Sequence, residues 1–164
     1  MARFDEHYSE DLLKGRIAEC LVEELLKQSG NKVYRFGYES ILQNLTQPGE
    51  YPSIDKTELV SKKLKSTPDF LVVNRKKKPF FVEVKFRTKV EVYERDLKII
   101  EEFWQAKIIM VTIKKPYFRI LDTHSKERNW TSLAKDQDLG VTEKTLEEFN
   151  RLVEKYYSNM ENVQ

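Results

Sequence analysis

The chain has 164 residues, of which 40% are hydrophobic and 12% aromatic, so it can bury one core, and its composition excludes a disordered polymer. Its 29 Lys and Arg nearly balance its 27 Asp and Glu, and a net charge of +2 by itself assigns no partner. The single cysteine, Cys20, excludes an internal disulfide.

The same features bear on the compartment. The N-terminal stretch MARFDEHYSEDLL is acidic and has no apolar signal segment, and no apolar run approaches the length of a membrane span. A lone cysteine also agrees with a reducing compartment. We therefore expect a cytoplasmic protein, nucleoid-associated or nuclear depending on its source, with no membrane partner.

The first predicted element is a helix that begins at Ser9, a suitable N-cap that two acidic residues follow. Because Cys20 lies in the apolar stripe of this helix, we expect it to pack in the core. Gly30 and Asn31 end the helix. The stripe recurs at helical spacing and consists of Leu12, Leu13, Ile17, Cys20, Leu21, Leu25 and Leu26.

Strand patterns follow the helix. The run at 32–39 predicts a first strand. Residues 43–66 contain two prolines and no periodicity, which predicts a loop or an insertion. Apolar runs at 67–74 and 80–86 are separated by the basic turn RKKK, and together they predict a β-hairpin.

The rest of the chain predicts, in order, a helix at 90–105, strands at 107–114 and 117–123, and an amphipathic helix at about 142–157. Thr142 is the expected N-cap of that last helix. The complete order predicts a mixed sheet with helices on its faces, an α/β or α+β fold. With neither an internal repeat nor a second domain in the pattern, we expect residues 1–164 to form a single domain.

Three ionisable residues interrupt the apolar runs of the hairpin: Asp69 in its first strand, and Glu83 and Lys85 in its second. Side chains alternate between the faces of a strand, so Glu83 and Lys85 point the same way. Asp69 and Glu83 are equidistant from residue 76, inside the turn, and such residues face each other in a hairpin. We therefore expect both carboxylates on one face, with Lys85 beside them.

Two adjacent carboxylates repel each other unless a positive charge compensates them. A divalent cation supplies that charge, and carboxylate, water and phosphate oxygens are the ligands that Mg²⁺ accepts; Mn²⁺ is an alternative ion. Lys85 could orient an attacking water and offset the charge that grows on a phosphate. This chemistry indicates metal-assisted hydrolysis of a phosphodiester, although a solvated polar face of the hairpin is the alternative.

Pro68-Asp69 followed by Glu83-Val84-Lys85 resembles the motif of the PD-(D/E)xK nuclease superfamily, which includes restriction endonucleases, archaeal Holliday junction resolvases and repair nucleases. The resemblance implies the restriction-endonuclease-like core, helix–strand–strand–strand–helix–strand, over about residues 9–113, with an extra strand and a C-terminal helix. A glutamine–tyrosine motif of some exonuclease members is absent from the helix after the third strand.

Members of that superfamily usually carry a further acid on the first helix. The stretch KGRIAE, residues 14–19, is similar to the opening of the resolvase-like members, which gives this role to Glu19. The resemblance thus implies that Glu19, Asp69 and Glu83 bind Mg²⁺ and that Lys85 assists catalysis. Glu23 and Glu24 compete for the helix position, and Glu19 could also be an ordinary exposed helix residue.

Charge is distributed unevenly along the chain. Residues 56–95 contain twelve Lys and Arg and five Asp and Glu, which gives a local charge of +7. Residues 136–164 contain three Lys and Arg and seven Asp and Glu, which gives a local charge of −4. A solvated basic face is the alternative to a nucleic-acid contact. The cations that flank the motif and could bind phosphates are Lys62, Lys63, Lys65, Arg87 and Lys89.

These inferences predict a Mg²⁺-dependent endonuclease that hydrolyses DNA, with branched or otherwise structured DNA of repair or recombination as the expected substrate. A homodimer is a natural corollary, because symmetric cleavage needs two sites. Two alternatives stay open: a non-catalytic module of the same fold that binds nucleic acid or protein, and a nuclease of RNA.

Overall fold

The computed structural model describes residues 6–37, 59–92, 94–123 and 129–158. The described helices are α1 (Glu6–Gln28), α2 (Leu59–Lys65), α3 (Glu94–Phe103) and α4 (Glu143–Tyr157). The described strands are β1 (Lys32–Arg35), β2 (Phe70–Val73), β3 (Pro79–Arg87), β4 (Lys107–Thr112), β5 (Phe118–Asp122) and β6 (Thr131–Ser132).

These strands form one open sheet whose spatial order follows the chain, from β1 to β6. Strands β3 and β4 are parallel, and every other neighbouring pair is antiparallel. The parallel pair needs a crossover connection, which α3 provides. The sheet is therefore mixed, and the mixed α/β class expected from the sequence is confirmed.

The two faces of the sheet carry different layers. On one face, the main core joins β-strand residues such as Val82 and Val84 to buried residues of α1 and α4. Phe86 of β3 stacks on Tyr157 of α4, with ring centroids 4.5 Å apart. On the opposite face, a smaller cluster joins α3 to the sheet around Ile108. Since side chains alternate along β3, Glu83 and Lys85 lie on this second face.

Local sequence signals set the ends of two helices. After α1, Gly30 adopts φ of +87° and donates its N–H to Lys27, and Asn31 donates to Leu26. This pattern is the Schellman motif, in which glycine is favoured because it adopts positive φ without strain. At α4, the Thr142 hydroxyl accepts the Thr145 N–H, which confirms the predicted N-cap.

One expectation was wrong: helix α1 begins at Glu6, so Ser9 lies within it and does not cap it. The predicted loop or insertion at 43–66 ends in helix α2, while residues 38–58 lie outside the described residues. The sequence pattern did not predict β6 or the 3₁₀ turn at Leu133–Lys135, which lie between β5 and α4.

Cys20 also differs from expectation, since its side chain is exposed and not part of the core. The core face of α1 instead carries Ala18, Leu21, Val22, Leu25 and Leu26. Within the described segments, no helix combines the length and the apolar content needed to cross a membrane.

Candidate active site

The hairpin of β2 and β3 has the register that the sequence predicts. Phe70 pairs with Val82, so Asp69, one residue before β2, lies across from Glu83. The backbone carbonyl of Asp69 accepts the N–H groups of Phe36 and Gly37, at 2.8 and 3.2 Å. The chain after β1 therefore holds Asp69 in position although it precedes the strand.

Hydrogen bonds connect the three ionisable side chains to the hairpin. Oδ2 of Asp69 accepts the backbone N–H of Val84 at 2.7 Å, and Nζ of Lys85 donates to Oε1 of Glu83 at 2.5 Å. The Glu83 side chain is only 12% exposed, and that of Lys85 is 24% exposed. The alternative of a solvated face is therefore wrong for Glu83.

Burial changes the acidity of both carboxyl groups. Burial and the negative charge of Glu83 together raise the pKa of Asp69 to about 8, and the hydrogen bond from the Val84 N–H acts against both effects. Burial also raises the pKa of Glu83, while the ammonium group of Lys85 lowers it. In this buried position, ionisation of both carboxyl groups at once is unfavourable unless a cation compensates their charge.

Helix α1 contributes a third acid. The negative charge of Glu19 raises the pKa of both Asp69 and Glu83. Glu19 also pairs with Arg16, at 3.4 Å. The other two candidate acids of α1 have different partners. Glu23 forms ion pairs with Lys27 and Arg35, which lower the pKa of Glu23 although burial raises it. Glu24 forms an ion pair with Lys27. Glu19 is therefore the helix acid that acts on the pair.

The oxygens of Glu19, Asp69 and Glu83 do not all lie within 4.8 Å of one another. Among the described residues, the group of three acids that meets this distance is Asp122, Asp136 and Asp138.

This second acidic group surrounds Lys107, whose Nζ lies 3.0 Å from Asp122, 2.7 Å from Asp136 and 3.2 Å from Asp138. The Lys107 side chain is 3% exposed. A buried ammonium group needs such partners, so an ion-pair network explains these acids without a metal. Sequence reasoning missed this network, because no local pattern relates residue 107 to residues 122–138.

A pocket of about 250 Å³ lies beside Glu83 and Lys85. Lys62 and Lys65 of α2 line it, together with Ser66, which follows that helix, and α3 lines it with Asp96, Ile99 and Ile100. The structure thus brings two of the five predicted cations to the acids, together with Ser66 and Asp96, which sequence reasoning missed. The residues next to Ser66 and Asp96 in the sequence gave no signal that would have distinguished them.

The other three predicted cations lie elsewhere. The ammonium group of Lys63 lies over the ring of Trp104, 5.5 Å from its centroid. Arg87 is at the end of β3, on the same face as Lys85. Lys89 is exposed beyond the end of that strand. Neither Arg87 nor Lys89 is among the residues that line the pocket.

Trp104 fixes α2 beside the pocket. Its indole N–H donates to the Ser66 hydroxyl at 3.2 Å, and its ring meets Phe36 and Phe81 edge-on at 5.8 and 5.3 Å. With Lys63 over the same ring, Trp104 contacts the end of α2 at Lys63 and the residue that follows the helix, Ser66. The short helix therefore holds its lysines in defined positions.

Comparisons of the chain with protein-family models, with curated proteins and with solved structures find no match. The geometry of the site is therefore the basis for assigning its chemistry.

Proposed function

We propose that the protein is a Mg²⁺-dependent endonuclease that hydrolyses phosphodiester bonds in branched or otherwise structured DNA. One observation carries the proposal: Asp69, Glu83 and Lys85 meet on one face of a hairpin, beside a pocket lined by Lys62 and Lys65. Acids that can hold a cation thus adjoin an amine and a basic surface that can hold a polynucleotide.

The acids fit a divalent cation. Asp69 and Glu83 are hard oxygen ligands, their burial disfavours two uncompensated negative charges, and Glu19 adds a third carboxylate on the α1 side. When bound, Mg²⁺ or Mn²⁺ supplies positive charge for the phosphate and lowers the pKa of a water molecule.

Lys85 has a role of its own. Its ammonium group bonds to Glu83 and borders the pocket, so it can donate to a phosphate oxygen or orient an attacking water. A fixed positive charge at that point stabilises the negative charge that grows on the phosphate in the transition state. Lys62 and Lys65 would hold neighbouring phosphates and so position the scissile bond.

The element order supports a restriction-endonuclease-like fold. Helix α1, strands β1 to β3, helix α3 and strand β4 follow the order helix–strand–strand–strand–helix–strand, with α2 as an insertion between β1 and β2. The similarity of KGRIAE to resolvase-like members favours a branched DNA substrate within this class.

Cleavage assays test the proposal. Supercoiled, linear, single-stranded and four-way-junction DNA, with an RNA hairpin as comparison, would be incubated with Mg²⁺ and the wild type, Glu83→Gln or Lys85→Met. We expect both variants to lose activity by about a hundredfold or more, because each removes a charge that acts on the transition state. Chelation by EDTA should abolish cleavage by the wild type.

Asp138→Asn is the matched control, since it removes a carboxylate of the Lys107 network and leaves the pocket intact. It should cleave like the wild type. DNA affinity, measured in EDTA, should be unchanged or tighter in Glu83→Gln, because a negative charge leaves the pocket. Equal cleavage by all variants, or DNA binding without cleavage by the wild type, would overturn the proposed activity.

A further inference from the structure

An apolar groove of about 570 Å³ lies between α1 and α4, on the outer side of the helical layer. Its apolar lining is Leu13, Ile17, Leu21, Phe149, Leu152 and Tyr156. Leu13 is 59% exposed and Tyr156 is 49% exposed. Exposed large apolar side chains that border an apolar groove are typical of a protein–protein interface.

The charges along this groove have a symmetric arrangement. Arg16 and Glu24 also line it, and so does Cys20, which lies midway between them in the sequence. Their side chains are exposed, 44% for Arg16 and 58% for Glu24, and within one chain each also pairs with a neighbour on α1, Arg16 with Glu19 and Glu24 with Lys27. Positions 16, 20 and 24 succeed one another at four-residue intervals and thus lie along one side of α1.

We propose that this groove is the interface between two copies of the chain, related by a two-fold axis that passes Cys20. In that arrangement the two α1 helices run antiparallel, Arg16 meets Glu24 of the partner subunit, and the two Cys20 side chains approach each other at the axis. The interface does not depend on the proposed nuclease function.

Charge complementarity favours a second copy over another partner. A two-fold interface places the same patch on both sides, so the patch must complement itself. Arg16 and Glu24 do so only when the helices are antiparallel, because a parallel arrangement would place like charges together. The projecting Leu13 and Tyr156 side chains of each copy can then enter the apolar groove of the other.

Sedimentation equilibrium of the full chain tests the interface. We expect a dimer whose dissociation constant rises about tenfold or more in Leu13→Asp, because the charge enters an apolar contact twice in each dimer. Leu59→Asp is the control, because Leu59 is equally exposed, lies on α2 and does not line the groove. Circular dichroism would verify that both variants are folded.

Charge exchange tests the antiparallel orientation. Arg16→Glu and Glu24→Arg should each weaken the dimer, and the double variant should recover most of the loss, because the opposite charges again face each other. In the wild type, a short bismaleimide should join two chains through Cys20, and Cys20→Ser should abolish that product.

A monomer at all concentrations would overturn the proposal. So would a dimer that Leu13→Asp leaves intact, since it would use another surface. Two weakened single variants without recovery in the double variant would also overturn it, because the antiparallel pairing would then be wrong.

Discussion

Asp69 illustrates how a single residue acquires its properties from its surroundings. Its backbone is fixed by Phe36 and Gly37, and its carboxylate accepts the N–H of Val84. Burial and the charge of Glu83 outweigh that hydrogen bond and raise its pKa from 3.8 to about 8. Asp69 therefore carries a proton in the ion-free protein at neutral pH, and a cation must compete with that proton.

This pKa predicts how stability depends on pH in EDTA. Between about pH 4 and pH 8 the folded chain keeps a proton on Asp69 that the unfolded chain has released, so stability falls as pH rises. For this one group the slope is at most about 1.4 kcal/mol per pH unit. Asp69→Asn should flatten the dependence and stabilise the protein at pH 8.

Urea unfolding of wild type and Asp69→Asn at pH 5, 6, 7 and 8 measures this difference. Asp138→Asn, which removes a carboxylate outside the hairpin, should retain the wild-type slope of stability against pH. An Asp69→Asn variant with an unchanged slope would show that the Asp69 carboxyl group does not carry this proton.

Helix α2 shows what an element contributes beyond its own sequence. It has only seven residues, and isolated helices of that length are unstable in water. Trp104 attaches it to the sheet through Ser66 and Lys63, which leaves Lys62 and Lys65 beside the pocket. We expect these two lysines to bind phosphates, and the basic turn at the far end of the hairpin to contribute little.

Replacing both lysines, in Lys62→Gln with Lys65→Gln, should weaken DNA binding and reduce its salt dependence. Each phosphate contact contributes about 0.9 to the slope of log K against log salt for duplex DNA, so the slope should fall by about two. Lys76→Gln with Lys78→Gln removes the same charge from the turn and should change the slope much less. Equal effects of the two double variants would contradict a phosphate role specific to α2.

At the scale of the whole molecule, the acids connect elements that are distant in the chain. Glu19 belongs to α1, Asp69 precedes β2 and Glu83 belongs to β3. An ion that binds these acids would bind the folded state and not the unfolded chain, and would therefore stabilise the entire fold.

We therefore expect Mg²⁺ to raise the melting temperature, and to raise it more at pH 8 than at pH 6, where protons compete for Asp69. At a concentration about one hundred times the dissociation constant, the stabilisation is about 2.7 kcal/mol. Differential scanning calorimetry would measure the shift. Glu83→Gln should abolish it, whereas loss of the shift in Asp138→Asn would assign the ion to the acids around Lys107.

The sequence by itself determined the candidate hairpin. Alternation along a strand and the position of the basic turn are local properties, so the register of Asp69 and Glu83, and the shared face of Glu83 and Lys85, could be predicted. The Thr142 cap and the end of α1 after Gln28 were predictable for the same reason.

Only the tertiary structure decided which of several equivalent residues meet. Periodicity gives the direction of a side chain but not what covers it, so it could not show that Cys20 is exposed. It could not show that Lys65 lines the pocket while Lys63 lies over the ring of Trp104. Nor could it show that three aspartates surround Lys107, because distances between remote segments are set by packing of the whole sheet.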